Sequence, residues 1–210
     1  MEPNGDLMFE GPADARVTVA LAHGAGAPMD STFMNRVSAG LASRGLRVAR
    51  FEFPYMARRR SEGKRGAPDR EPVLRARWTE IVERLGGGGR VVVGGKSMGG
   101  RIASMVADEL GARGLVCFGY PFHPPGDPGR LRTAHLADLR TRALFVQGTR
   151  DTFGTREDVA GYRLSPKIHI HWIDQGDHSF KPPARSGRTE KENVDEAIAA
   201  AAEFVGGLGG

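Results

Sequence analysis

Residues Gly95-Lys96-Ser97-Met98-Gly99 set a serine between two glycines at the end of an apolar, β-branched run, Val91-Val92-Val93. A stretch of helical character follows at once, with Ile102, Ala103, Met105, Val106 and Leu110. Strand, tight turn and helix in that order lift the serine to the strand tip in a strained conformation. The glycines two before and two after it let strand and helix pass closely. The Ser97 hydroxyl then faces a cleft, and the N–H of Met98 can stabilise an oxyanion. A serine hydroxyl is a weak nucleophile at neutral pH and needs a general base. His178, in Gly176-Asp177-His178-Ser179-Phe180, follows the last predicted strand and can serve. Asp151 follows the strand before it and can hold the imidazole in one tautomer. Asp174 and Asp177 compete for that role, but they share the loop of His178. A carboxylate from the preceding strand end can approach from the side opposite the serine, so Asp151 is preferred.

A second donor to the oxyanion is expected from His23-Gly24-Ala25-Gly26-Ala27, small residues that follow another strand. Such a loop can turn backbone N–H groups toward a reacting carbonyl, and Ala25 is the candidate. His23 and Gly24 are expected at the cleft, His23 mainly as a support for the loop. Two nucleotide-binding alternatives fail on register. A phosphate loop with Lys96 in its lysine slot needs glycine at position 90, which is Arg90; a dinucleotide fingerprint from Gly24 and Gly26 needs glycine at position 29, which is Met29. Lys96 reads as a support or rim residue that projects away from the cleft. Cys117 is flanked by apolar residues and reads as core. His169 and His171 alternate with Ile168, Ile170 and Trp172, and the pair lacks a third ligand for a metal. No cofactor or metal is called for.

The 210 residues suffice for one domain with a full core, expected to span residues 1–210. An apolar content of 40% and a charged content of 26% are globular values. No run is apolar enough to span a bilayer and the N-terminus has no signal character, so no membrane partner is expected. One cysteine excludes an internal disulfide, and a cytoplasmic address is the simplest expectation. The net charge of +5 is spread over scattered arginines without aromatic platforms or a helix-turn-helix spacing, so no nucleic acid is expected. One cluster, Arg58, Arg59, Arg60, Lys64 and Arg65, lies in a stretch from Ala57 to Pro72 that reads as a loop. It is either a solvated surface or a rim that favours an anionic substrate.

Predicted strands over Val17–Ala22, Leu46–Phe53, Val91–Gly95, Gly114–Gly119, Ala143–Gln147 and Lys167–Ile173 alternate with predicted helices. One helix carries Phe33, Val37 and Leu41, another Leu74, Trp78, Ile81 and Val82. The last opens at Thr189 with Glu192 three residues on, a capping box. Continuously apolar central strands imply an α/β architecture, a mostly parallel sheet with helices on both faces and active loops at the strand carboxyl ends. Residues 206–210 read as a frayed tail.

The ordered motifs resemble those of compact α/β-hydrolases of the dienelactone-hydrolase-like kind, and more closely a group of small bacterial α/β-family hydrolases of undefined substrate. The matching segments are His23-Gly24-Ala25-Gly26, Phe51-Glu52-Phe53-Pro54-Tyr55-Met56, Gly95 to Gly100, Gly119-Tyr120-Pro121-Phe122-His123-Pro124-Pro125, Gln147 to Asp151 and Gly176-Asp177-His178. The chain order serine, acid, histidine matches as well. Ser97 stands where dienelactone hydrolases proper carry a cysteine. The resemblance implies an α/β-hydrolase fold without a large cap domain and a cofactor-free serine hydrolase. A small ester, thioester or amide would be cleaved through an acyl-enzyme. Tyr120, Phe122 and His123 are expected to line the cleft. Similar animal proteins include a subunit of a chromatin-acetylating complex, so the alternative is a catalytically silent interaction module. Oligomeric state is left open.

Overall fold

A computed structural model describes residues 6–63 and 66–209. Seven strands form one sheet: β1 (Leu7–Glu10), β2 (Thr18–Ala22), β3 (Arg47–Phe51), β4 (Val91–Lys96), β5 (Gly114–Phe118), β6 (Ala143–Gly148) and β7 (Ile168–Ile173). Their order is β1-β3-β2-β4-β5-β6-β7, all parallel except the edge pair β1 and β3. The helices are α1 (Thr32–Ala42), α2 (Pro54–Glu62), α3 (Glu71–Arg84), α4 (Met98–Val106), α5 (Arg156–Ala160) and α6 (Glu190–Gly206).

β2, β4, β5 and β6 are buried along nearly their whole length, so apolar side chains leave both faces and need two cores. One core packs Phe51, Trp78, Ile81, Ile102 and Phe145 against α3 and α4. The other packs Val19, Leu41, Val48, Val146 and Ile198 against α1 and α6. The capping box at Thr189 is present, its hydroxyl accepting from Glu192 N–H. Residues 119–142 contain only a short 3₁₀ turn at Ala134–Leu136, and no cap domain covers the strand ends. No described helix is long and apolar enough to cross a membrane.

Three local expectations change. Alternation over Leu46–Phe53 suggested one wet strand face, yet Arg50 is only 1% exposed. β1 adds itself outside β3, and the guanidinium pairs with Glu10 at 2.5 Å and donates to the Met29 carbonyl at 2.9 Å. The stretch from Ala57 to Pro72, expected as a loop, begins inside helix α2: proline occupies the helix's first turn, Tyr55 and Met56 are buried, and Gly63 ends it at φ 69°. Helical geometry carries the arginines into ion pairs, Arg58 with Asp69 at 2.5 Å and Arg60 with Glu52 at 2.6 Å and Asp30 at 2.8 Å. The anion-attracting rim thus loses two of its charges to internal partners; Lys64 and Arg65 lie outside the described residues. The expected fraying after residue 205 does not describe Leu208, which is 7% exposed in the α1/α6 core. Its carbonyl accepts from Arg113 at 2.8 Å.

Candidate active site

The parallel order sends the carboxyl ends of β2, β4, β6 and β7 to one edge of the sheet, and the motif loops follow them. Ser97 sits between β4 and α4 at φ 51° and ψ −116°, a region closed to most side chains. The flanking glycines are explained by β2: a Cβ on Gly95 or on Gly99 would run into the carbonyl of Ala22. The elbow therefore leans on the neighbouring strand, which also sends the Gly24 loop over it. A Cβ at Gly24 would lie 3.8 Å from that of Ser97.

His178 lies between β7 and α6, with Nε2 2.9 Å from the Ser97 hydroxyl and Nδ1 2.8 Å from Asp151 Oδ2. Asp151 is fully buried, and its carboxylate also accepts from Gln147 Nε2 and Phe153 N–H, each at 2.9 Å. Three donors at two oxygens suit an ionised carboxylate and fix its orientation. The Phe153 ring covers the imidazole, with centroids 4.2 Å apart. Asp177 instead closes its own loop, accepting from Ser179 and Lys181 N–H. Asp174 is exposed.

Gln147 escaped the sequence argument, though a polar residue ending an apolar strand was a signal. It is fully buried, donates to Asp151 and to the carbonyls of Tyr120 and Gly154, and accepts from Tyr120 N–H. It ties the acid to the neighbouring strand end.

The Gly24 loop is held from behind. His23 is buried; Nδ1 donates to the Gly24 carbonyl at 2.7 Å and Nε2 accepts from Phe53 N–H at 3.2 Å. This defines one neutral tautomer, and burial pushes the imidazole pKa down. The Tyr55 hydroxyl donates to the Ala25 carbonyl at 2.9 Å. With those carbonyls occupied, Gly24, Ala25 and Gly26 line a cavity of about 620 Å³ together with Ser97 and His178. Among the described residues, neither Ala25 nor Met98 donates its N–H to another protein group.

Phe33 and Met34 of α1 and Val194 of α6 supply the apolar lining of this cavity. The expectation for Tyr120, Phe122 and His123 is corrected here. Tyr120 and Phe122 are fully buried and His123 is 4% exposed. Their rings pack inward, Tyr120 stacking on Phe145 at 4.8 Å, because Gly119 at φ 63° turns the chain back over the sheet. His23 also lies beneath the cavity and not in its wall. For Lys96 only the direction changes: it borders the cleft instead of pointing away from it, and as a support its ammonium donates to the His178 carbonyl at 2.5 Å. Cys117 is in the core, and burial pushes its thiol pKa well up. Among the described residues, no three His, Cys, Asp or Glu side chains gather as metal ligands would.

Solved structures share this architecture. A dienelactone hydrolase from Anabaena variabilis superposes with a TM-score of 0.66 at 20% identity, over 95% of this chain and 88% of its own. An α/β serine hydrolase without a lid from Xanthomonas campestris gives 0.64 at 17% identity, over 95% and 88%. An α/β serine hydrolase homologue from Coxiella burnetii gives 0.65 at 18%, over 95% and 90%. At such identities the likeness speaks for the fold. The family described as an alpha/beta hydrolase domain matches residues 15–206, which takes in every strand from β2 to β7 and all the loops around Ser97. By that match the chain belongs to the α/β-hydrolase family.

Proposed function

We propose that this hydrolase cleaves a small ester, thioester or amide with Ser97 as nucleophile, His178 as base and Asp151 as its orienting acid, in one domain formed by the whole chain. The observation that carries the proposal is the continuous hydrogen-bond chain from Ser97 through His178 to Asp151, opening on a cavity of small-molecule size. Ser97 Oγ attacks the acyl carbon while His178 Nε2 takes its proton. Asp151 keeps the other ring proton on Nδ1 and stabilises the imidazolium that forms. The N–H groups of Met98, at the start of α4, and Ala25 receive the oxyanion, aided by the helix N-terminus. His178 then protonates the leaving group, and water attacks the acyl-enzyme by the same steps in reverse.

Phe33, Met34 and Val194 suit an apolar acyl or alcohol portion of modest length. The test is labelling by a fluorophosphonate, with hydrolysis of p-nitrophenyl esters of graded chain length measured in parallel. Labelling and turnover that Ser97→Ala abolishes are expected. A folded wild-type protein that neither reacts with the probe nor hydrolyses any ester would overturn the proposal in favour of a silent interaction module.

A further inference from the structure

Lys96 occupies a place that the chemistry above does not use. Its ammonium lies 5.6 and 5.8 Å from the ring centroids of Phe33 and Phe180, and it donates to the His178 carbonyl at 2.5 Å. Gly119 makes room for it: a Cβ there would stand 2.6 Å from Nζ and 3.0 Å from the same carbonyl. The ends of β4 and β5 and the loop after β7 thus meet at one cation. Among the described residues, this is the one hydrogen bond made by the main chain of His178. The rest of that loop is held by Asp177 from within, by Thr149 and Arg150 after β6, and by Asn193 of α6 at the Phe180 carbonyl, none of which bonds the main chain of His178.

We propose that Lys96 is a positioning residue for His178, tying the histidine loop to the serine elbow so that Nε2 stays within hydrogen-bond reach of Ser97. The proposal rests on the assignment of Ser97 and His178 made above. A bond from an ammonium to a carbonyl is roughly twice as strong as a neutral one, and both ring contacts need the positive charge. Burial lowers the Lys96 pKa to about 8, opposed by the charges of Asp151 and Asp177. The ammonium therefore loses its proton on the alkaline side of neutrality. As it does, the tie slackens, and turnover should decline on the alkaline side through this residue.

The experiment follows p-nitrophenyl acetate hydrolysis from pH 6 to 9.5 for wild type, Lys96→Met and Lys96→Arg, with fluorophosphonate labelling and thermal melting alongside. Methionine keeps the stem and most of the volume without charge. In Lys96→Met, kcat at pH 7 is expected to fall about 10- to 100-fold with KM within about threefold, as for an interaction felt at the transition state. Its alkaline decline near pH 8 should vanish. Lys96→Arg should recover part of the rate and show no decline up to pH 9.5, since a guanidinium keeps its proton. Unchanged kcat in Lys96→Met, or a decline near pH 8 that persists in either variant, would overturn the positioning role. Should Lys96→Met fail to fold, the profile of Lys96→Arg decides alone. Failure of the underlying assignment is distinguishable: wild type would then resist labelling, or Ser97→Ala and His178→Ala would retain full hydrolysis.

Discussion

Replacing Ser97 by alanine and by glycine separates the strain of the elbow from its chemistry. At φ 51° and ψ −116° the backbone is close to the mirror image of an extended residue, which any Cβ resists. Such positions store on the order of 1–3 kcal/mol. Alanine keeps the Cβ and therefore the strain, and loses only the hydroxyl. Glycine removes the strain but gives the unfolded chain about 0.5–1 kcal/mol more conformational freedom. Ser97→Gly is therefore expected to be more stable than Ser97→Ala by about 1 kcal/mol, the reverse of the order inside a helix or strand. In a chain of this length that difference moves Tm by about 2–4 °C. Urea unfolding and calorimetry of the two inactive variants at pH 7 measure it. If Ser97→Gly proved less stable by about 0.5 kcal/mol or more, the elbow would hold no strain and the reasoning would fail. Gly95→Ala and Gly99→Ala serve as the contrast: both should be strongly destabilising, because their new Cβ would strike the Ala22 carbonyl.

Asp151→Asn should lower kcat about 10³- to 10⁴-fold while the fold survives, by presenting the wrong donor to His178 Nδ1; a larger loss in Asp177→Asn would move the acid elsewhere. His135 donates to or accepts from Ser104 at 2.8 Å, and burial, with Arg101 nearby, pushes its pKa down from 6.5 to about 4. The unfolded chain then binds more protons between pH 6.5 and 4. This contribution is complete above pH 6.5 and is lost on acidification through that window, about 1–2 kcal/mol after allowance for partial solvent access. His135→Gln should flatten that part of the stability profile, and an unchanged slope would exclude the residue as its source. Arg60→Ala should destabilise by about 1 kcal/mol, because it strips the cation from Glu52, which is 5% exposed. The ratio of rates on anionic and neutral esters should not move with it, which a salt titration of both substrates would reveal.

Local pattern was enough to name the elbow, six of the seven strands, the capping box of α6 and the candidates Ser97, Asp151 and His178. A glycine pair around a serine, a β-branched run and a polar residue after a strand are statements about neighbours in the chain. The alternation of strands and helices then implied the parallel sheet, because parallel neighbours need crossover connections. Whatever depended on packing between distant segments was not legible. β1 is four residues long and exists through its pairing with β3, which also makes Arg50 a buried residue in spite of its charge. Helix α2 has three consecutive arginines and becomes a helix because Tyr55 and Met56 find a core and Asp30, Glu52 and Asp69 find its charges. Tyr120 and Phe122 shared the expected strand end with the site, but only the turn at Gly119 decided that their rings go inward. Phe33, Met34 and Val194, from helices about 160 residues apart in the chain, line the cavity instead. Sequence spacing carries the direction of a side chain only as far as the local period holds; beyond a turn, direction is set by which surface is left to bury against.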